Sequence, residues 1–206
     1  MKNTVSRALI ALIVVGGAVS ANADVLLDTY AGDAPGFQAN GWIVATWQYM
    51  SRPFSVTGSY TLDSIELPLG NFNDNTGVYD VSICADNAGV PGTVLESFAV
   101  NVTTGNGVVS SYLLNSALNP LLTTGTYYVT ATTTDANLNG GWGWNNANNT
   151  GDQQFSTDGG GTWNNFNSTD VAVRVMGTST TVPEPASMAV LGLGALALVR
   201  RRRTAK

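Results

Sequence analysis

Short stretches in which apolar and polar residues alternate recur along the chain, and they restrict its fold more than any other feature. The alternation is clearest at 65–69, 79–83 and 171–175. Alternate side chains of a strand lie on opposite faces, so each stretch predicts a strand with one buried face. Further runs rich in β-branched and aromatic residues occupy 25–30, 42–49, 94–102, 108–114 and 127–133.

Turn-forming residues separate these predicted strands. Clusters of Gly, Asn, Asp, Ser and Pro lie at 70–77, 86–92, 103–107 and 137–141. Many short strands at a spacing of roughly ten residues predict an all-β domain, an antiparallel β-sandwich of the jelly-roll type, over residues 24–177. We expect the glycine-rich strands from Gly141 onward to form a hairpin region at one end or edge of the sandwich.

The N-terminal residues 1–23 have the three parts of a secretory signal peptide. A positively charged start precedes the apolar stretch 8–19, and Ala21-Asn22-Ala23 is a small-residue cleavage site. We predict a signal helix that signal peptidase removes after Ala23. The alternative is a retained N-terminal anchor helix.

The C-terminal segment, residues 178–206, combines a polar spacer, a short motif, an apolar run and a basic end. The motif is Val182-Pro183-Glu184-Pro185, the uncharged run is 186–199, and the tail 200–206 begins with Arg200, Arg201, Arg202 and Arg203. The run is shorter than the ~20 residues with which a helix crosses a bilayer. Its composition still suits hydrocarbon, and the arginines would act as a stop at the cytoplasmic face. We predict a short transmembrane helix with transient inner-membrane anchoring; a permanent anchor is the alternative.

This order of motif, apolar run and arginines resembles the PEP-CTERM sorting signal of Gram-negative bacteria. The resemblance implies recognition by an exosortase, a membrane-embedded protease-transpeptidase, with cleavage near Pro183 to Pro185. It also implies delivery to the cell surface, the outer membrane or the extracellular matrix of a bacterium that makes exopolysaccharide and biofilm. The interior resembles the choice-of-anchor type R surface domain at 60–67, at 86–96 and around Trp163, which implies location and architecture but no activity.

The charge of the chain changes when both terminal segments are removed. The whole chain has 9 basic and 14 acidic residues. Between residues 24 and 182 the basic residues are Arg52 and Arg174 alone, against thirteen carboxylates, which gives a net charge of −11. Such a domain would repel nucleic acid and acidic polysaccharides.

The composition also excludes most catalytic chemistry. The chain has no histidine, and residues 24–182 have no lysine, so histidine triads, histidine–metal sites and lysine nucleophiles are excluded there. Paired carboxylates could hydrolyse glycosides, but no spacing singles out a pair. We therefore expect no enzymatic activity, with a glycoside-active enzyme as a remote alternative.

Cys84 is the single cysteine, which excludes an intrachain disulfide. Its place within an alternating stretch favours a buried, inert thiol. The alternative is an intermolecular bridge or a reactive thiol.

One interior motif is sharply defined. Ser156, Asp158, Gly160, Thr162 and Trp163 fit S-x-D-x-G-x-T-W, which is similar to the Asp-box of sialidase propellers and of several unrelated β proteins. An Asp in a tight turn accepts backbone hydrogen bonds while glycines take positive φ. We predict a structural hairpin rather than sialidase chemistry, because a propeller needs several blades.

Tryptophans suggest a carbohydrate site. Trp142 and Trp144 are two residues apart and share a face of a strand, and Trp163 lies in the neighbouring hairpin among Asn and Gln side chains. Aromatic rings and amides together could form a sugar platform. We favour the other interpretation, in which these rings pack a small hairpin layer and the Asn residues form loops, with the carbohydrate platform as the alternative.

Calcium is the only cofactor for which the residues offer a hint. Residues 71–77 present side-chain oxygens ahead of a glycine, as at the start of an EF-hand loop, but the bidentate Glu of that loop is missing. Asp86, Asp135, Asp152 and Asp158 offer other oxygens, and none is singled out. We expect no cofactor, with Ca²⁺ as the open alternative.

The leading functional prediction is an exported, C-terminally sorted, non-catalytic surface or extracellular-matrix protein with a structural or adhesive role. The alternative is a carbohydrate-binding module that uses Trp142 and Trp144.

Overall fold

The computed structural model describes residues 23–72, 76–102 and 107–180. These residues form thirteen strands and no helix. The strands are β1 (Ala23–Asp28), β2 (Phe37–Ala45), β3 (Tyr49–Val56), β4 (Tyr60–Asn71), β5 (Gly77–Asp86), β6 (Pro91–Val102), β7 (Val108–Asn115), β8 (Leu121–Leu122), β9 (Gly125–Thr132), β10 (Asn139–Asn145), β11 (Thr150–Ser156), β12 (Asn164–Thr169) and β13 (Arg174–Ser179). The all-β prediction is confirmed.

The predicted signal helix and C-terminal transmembrane helix lie outside the described residues. Within the part of the chain that the structure describes, no helix is long and apolar enough to cross a membrane.

The strands build two antiparallel sheets that pack as a β-sandwich. The seven-stranded sheet has the order β1-β13-β4-β10-β2, with β7 and β8 also paired to β4, and the six-stranded sheet has the order β12-β11-β3-β9-β5-β6. Eight of these strands form a jelly roll, because successive strands along the chain alternate between the two sheets. Their order is β2-β10-β4-β7 in the seven-stranded sheet and β3-β9-β5-β6 in the six-stranded sheet. The other five strands enlarge this framework.

Strand β4 organises the seven-stranded sheet because both of its edges are paired. Strands β7 and β8 take one edge, at residues 64–71 and 60–61. Strand β13 pairs with residues 60–66 and β10 with residues 69–71, so these two strands share the other edge.

The predicted placement of the glycine-rich region is wrong for β10, which lies inside the sheet between β4 and β2. Its glycines are explained by close neighbours. A Cβ on Gly140 would collide with the carbonyl of Gly70 and the hydroxyl of Tyr79, and a Cβ on Gly141 would collide with the ring of Phe72. Only β11 and β12 form the expected hairpin at a sheet edge.

The core fills the space between the sheets. Buried side chains of the seven-stranded sheet include Val44, Leu62, Ile65, Leu67, Leu69, Trp142 and Val175, and those of the six-stranded sheet include Met50, Phe54, Tyr79, Val81, Ile83 and Val129. The inward faces predicted for 65–69 and 79–83 are confirmed. The alternation at 171–175 is not a single strand, because Ala172 is bonded to β10 and is as fully buried as Val171 and Val173.

The predicted strand 42–49 is also interrupted. Ala45 and Gln48 exchange backbone hydrogen bonds around a tight turn, at 2.9 and 3.0 Å, and the chain passes there from one sheet to the other. Trp47 lies in that turn and is half exposed. The β-forming character of Thr46 and Trp47 concealed the turn in the sequence.

The two ends of the described chain lie side by side, because Ala23 pairs with Thr178. Strand β13 continues along β4 to Ser179, and the backbone N–H of Thr180 donates to the carbonyl of Ser59 at 2.9 Å. The polar spacer was predicted to begin at Thr178, but residues 178–180 belong to the sandwich. One residue separates Thr180 from the Val-Pro-Glu-Pro motif.

Candidate functional site

Trp142 lies in the core. Its side chain is 0 % exposed, and its Nε1–H donates to the carbonyl of Ala172 at 2.8 Å. Trp144 lies edge-on against Trp42, with ring centroids 5.3 Å apart. The prediction of an exposed Trp142–Trp144 platform is therefore wrong, because the face that the two rings share points into the sandwich. The favoured prediction, in which these rings pack internally, agrees with their positions.

The turn between β11 and β12 contains the Asp-box residues. The Oγ of Ser156 accepts a hydrogen bond from the N–H of Gly160 at 2.8 Å. The carboxylate of Asp158 accepts from both the hydroxyl and the backbone N–H of Thr162, the latter at 2.9 Å. These bonds, the one from the hydroxyl most of all, lower the pKa of Asp158 to about 2. Gly160 has a φ of 92°, a conformation that favours glycine.

Trp163 and Tyr49 flank this turn together. A side chain on Gly160 would begin 3.9 Å from the Trp163 ring and 4.0 Å from the Tyr49 ring. Both rings are partly exposed. Tyr49 is two residues from Ser51, which pairs with Gln154 on β11. Residues two apart share a face of a strand, so Tyr49 lies on the same face as Gln154.

This face is the outer face of the six-stranded sheet, opposite the buried face formed by Met50, Val81 and Val129. A row of uncharged polar side chains crosses it, one from each strand. From β6 to β12 the row is Ser97, Ser82, Thr130, Ser51, Gln154 and Asn165. The row therefore offers hydroxyl and amide groups rather than charges.

A groove of about 550 Å³ lies on the outer face at the β11–β12 end of this row. The β5–β6 turn folds over the sheet to form one wall, and its Gly89 carbonyl accepts a hydrogen bond from Gln154 Nε2 at 2.7 Å. Asp86 holds this turn, since its Oδ1 accepts from the Tyr128 hydroxyl at 2.8 Å and from the N–H of Gly89 at 3.0 Å. Asn165 lies on the opposite wall.

Two buried polar atoms of the outer face lack hydrogen-bond partners within the described residues. Gln154 is 3 % exposed, and its Oε1 accepts no hydrogen bond, while its Nε2 donates to Gly89 and, at 2.6 Å, to Asn165 Oδ1. Ser51 is 1 % exposed, and its Oγ also lacks a partner. Buried polar atoms are nearly always satisfied, so water or a ligand is expected at these positions.

The two arginines of the described residues are both ion-paired. Arg52 binds the buried carboxylate of Asp170 through two hydrogen bonds, of 2.7 and 2.8 Å. Arg174 binds Asp28 at 3.0 Å and Glu66 at 2.8 Å. The outer surface of the domain is therefore uncharged or acidic.

The other sequence-based predictions concern metals and the thiol. Among the described residues, no group of three or more His, Cys, Asp or Glu side chains lies close enough together to hold a metal ion. The EF-hand-like stretch 71–77 lies partly outside the described residues. Cys84 is buried, as predicted, and its burial raises the pKa of the thiol.

Sequence analysis did not single out Tyr49, Ser51 or Tyr128. They come from strands distant in sequence from β11, and only the register of the sheet brings them to one face. The clearest signal in the sequence is the pair of amide runs Gln153-Gln154 and Asn164-Asn165.

Residues 181–203 match the family model of the PEP-CTERM protein-sorting motif. The match begins immediately after Thr180, the last described residue. It indicates an exported, C-terminally sorted protein that is processed by an exosortase in a Gram-negative bacterium. A search of the curated proteins finds no significant match to the chain.

Proposed function

We propose that this protein is a non-catalytic component of the cell surface or extracellular matrix, where its sandwich has a structural or adhesive role alongside exopolysaccharide. The observation that carries the proposal is the junction between domain and signal. The sandwich ends at Thr180, and the sorting motif begins at Val182. Only a few residues would therefore separate the domain from whatever is joined to the cleaved end.

The arrangement of the termini supports display of the domain. Predicted signal-peptide cleavage follows Ala23, and Ala23 pairs with Thr178, three residues before the match to the sorting motif begins. The first and last described residues thus lie at one end of the sandwich. The opposite end and the outer faces stay accessible while that end is attached.

The polar groups of the domain support a role without catalysis. Asp28 and Glu66 are brought together by their common partner Arg174, which leaves no free acid–base pair there. Asp170 is bound by Arg52, and Glu96 accepts hydrogen bonds from the Ser116–Leu118 loop. These carboxylates serve the fold, whereas glycoside hydrolysis needs two that are free to exchange protons.

Replacing Glu184 by Ala in the full-length chain tests the proposal in the producing bacterium. We expect the variant to stay in the inner-membrane fraction as an uncleaved precursor, with at least a tenfold loss of protein at the surface. The matched control is Asp152→Ala, which removes one negative charge from an exposed position of the domain and should be processed normally. Normal trimming and surface delivery of the Glu184→Ala variant would contradict the proposal.

A further inference from the structure

We infer that the outer face of the six-stranded sheet binds an uncharged polysaccharide, through the groove beside Gln154 and Asn165 and the neighbouring rings of Tyr49 and Trp163. This inference rests on the proposed function for its setting, since an adhesive surface protein needs a ligand outside the cell. It replaces the Trp142–Trp144 platform, which the fold buries.

The hydrogen-bonding groups of the groove match sugar hydroxyls. Gln154 Oε1 is a buried acceptor without a partner in the described residues, and a hydroxyl can donate to it. Asn165 is exposed and uses its Oδ1 to accept from Gln154, so its Nδ2 is available to donate. Asn167 Nδ2 is held by Asp152 Oδ1 at 2.8 Å, which fixes a second amide in the same wall. A hydroxyl both donates and accepts, so one sugar ring can use both kinds of group.

We assign the apolar part of the sugar site to two rings outside the groove lining, Tyr49 and Trp163, which lie two residues along the chain from Ser51 and Asn165. Tyr49 and Trp163 lie beside Gly160, and the Asp-box hydrogen bonds fix the turn that carries Trp163. Each ring is partly exposed rather than buried. The C–H faces of a sugar pack against aromatic rings, while its hydroxyls reach polar groups at the side.

The walls of the groove are held in place before any ligand arrives. Asp86 binds both Tyr128 and the backbone of Gly89, and Gln154 ties that turn to β11. A site that is already ordered loses less conformational entropy on binding. The groove is therefore preorganised for its ligand.

Charge selects the class of polysaccharide. Between residues 24 and 182 the net charge is −11, and both arginines are ion-paired. Acidic chains would be repelled, since no free cation of the described residues lies on this face. Uncharged polysaccharides are not subject to this electrostatic repulsion.

Affinity electrophoresis of the mature protein tests the inference, with gels that contain dextran, amylose or galactomannan, and with alginate as the acidic comparison. We expect retardation by at least one uncharged polymer and none by alginate. Asn165→Ala should weaken binding by about 2- to 10-fold, the effect of one hydrogen bond. Asn101→Ala is the matched control, because Asn101 is an exposed Asn at the far edge of the same sheet.

A second variant, Gln154→Leu, removes the buried acceptor together with the Nε2 hydrogen bonds to Gly89 and Asn165 that order the groove, and should also reduce retardation. Circular dichroism and urea unfolding would establish that both variants are folded. The inference is overturned if no uncharged polymer retards the wild type, if alginate binds best, or if folded Asn165→Ala and Gln154→Leu bind like Asn101→Ala. Correct sorting together with any of these results would leave the proposed function standing and remove only the binding site.

Discussion

Ser51 and Arg52 are neighbours on β3, yet they lie on opposite faces of the sheet and in opposite hydrogen-bonding states. Arg52 shares a face with Met50 and Phe54 and meets both oxygens of the Asp170 carboxylate. Ser51 lies on the outer face, where its buried Oγ and the Oε1 of Gln154 have no partner in the described residues. The Arg52–Asp170 pair satisfies its own hydrogen bonds, whereas Ser51 Oγ and Gln154 Oε1 leave theirs unmade. The Oε1 of Gln153, on the opposite face from Gln154, also lacks a partner in the described residues, so the contrast is between these particular groups and not between whole faces.

This difference distinguishes polar side chains that stabilise the fold from polar side chains that remain available to bind a ligand. The carboxylate of Asp170 occupies the space where a side chain on Gly151 would begin, so that strand can carry only a glycine there. Such a closely fitted pair is suited to fixing the two sheets relative to each other. The amides of the outer face instead surround a groove.

The largest effect is expected from Arg52→Met. Removing one partner of a buried ion pair leaves an uncompensated charge, here on Asp170, which is 5 % exposed. We expect the free energy of unfolding to fall by about 3–5 kcal/mol. Urea denaturation followed by tryptophan fluorescence measures it.

Arg174→Met is the control for that prediction. Its ion pairs are about one third exposed, and such pairs contribute about 1 kcal/mol or less. Equal losses for the two variants would show that the inner position of Arg52 has no special role. The double variant Arg52→Met, Asp170→Leu should recover most of the stability, because it removes both charges.

Glu96→Gln should have an intermediate effect. Burial alone would raise the pKa of Glu96, but hydrogen bonds from Ser116 Oγ and from the N–H groups of Ala117 and Leu118 outweigh it and lower that pKa. Charge-assisted bonds of this kind are worth about 1.5–3 kcal/mol each, and Gln keeps an acceptor, so we expect a loss of about 1–2 kcal/mol.

The pH dependence gives a second test of Glu96. A lowered folded-state pKa stabilises the protein above the ordinary pKa of 4.5, and this stabilisation is lost as pH falls through the folded-state value. Urea unfolding of wild type and Glu96→Gln between pH 7 and the acid limit should therefore converge at low pH. Parallel curves would contradict the role of the carboxylate.

A smaller and local effect is expected from Thr162→Val in the Asp-box turn. The variant removes the hydroxyl that contributes most to lowering the pKa of Asp158. The pKa should rise from about 2 toward the ordinary value of 3.8, which carbon-detected NMR titration of the carboxyl group can follow. An unchanged pKa would show that the backbone N–H groups and the Ser156 hydroxyl hold the carboxylate without the Thr162 hydroxyl.

A modest effect on stability is expected from Gln154→Leu. The substitution keeps a buried side chain of similar size and removes an acceptor that has no partner in the described residues, but it also removes the hydrogen bonds that Nε2 donates to the Gly89 carbonyl and to Asn165 Oδ1. Stability should fall by about 1–2 kcal/mol, since each hydrogen bond contributes about 1 kcal/mol. A loss as large as that of Arg52→Met would place Gln154 with the structural polar groups and break the comparison with the Arg52–Asp170 pair.

The sequence predicted the strands in which apolar and polar residues alternate over a few consecutive positions. Residues 65–69 and 79–83 bury the expected faces, because one face of each strand meets the core. It favoured internal packing of Trp142 but not the position of β10 inside the seven-stranded sheet, since the glycines around Trp142 resemble a loop until β4 and β2 are packed beside them.

The groove and the buried ion pair could not be predicted because both depend on register between distant strands. Arg52 and Asp170 are 118 residues apart in sequence. Tyr49 and Gln154 reach one face only through the pairing of β3 with β11. The sorting signal at the C-terminus, in contrast, is contiguous in sequence and can be recognised without knowledge of the fold.

The central claim is that the chain is exported, trimmed at its sorting signal and displayed as a sandwich. Intact-mass analysis of the native protein from the cell surface tests it most directly. We expect a chain that begins at Asp24, ends near Pro183 to Pro185 and lacks Arg200 to Lys206, apart from any group attached at the new terminus. A surface protein whose mass still includes the basic tail would contradict the account.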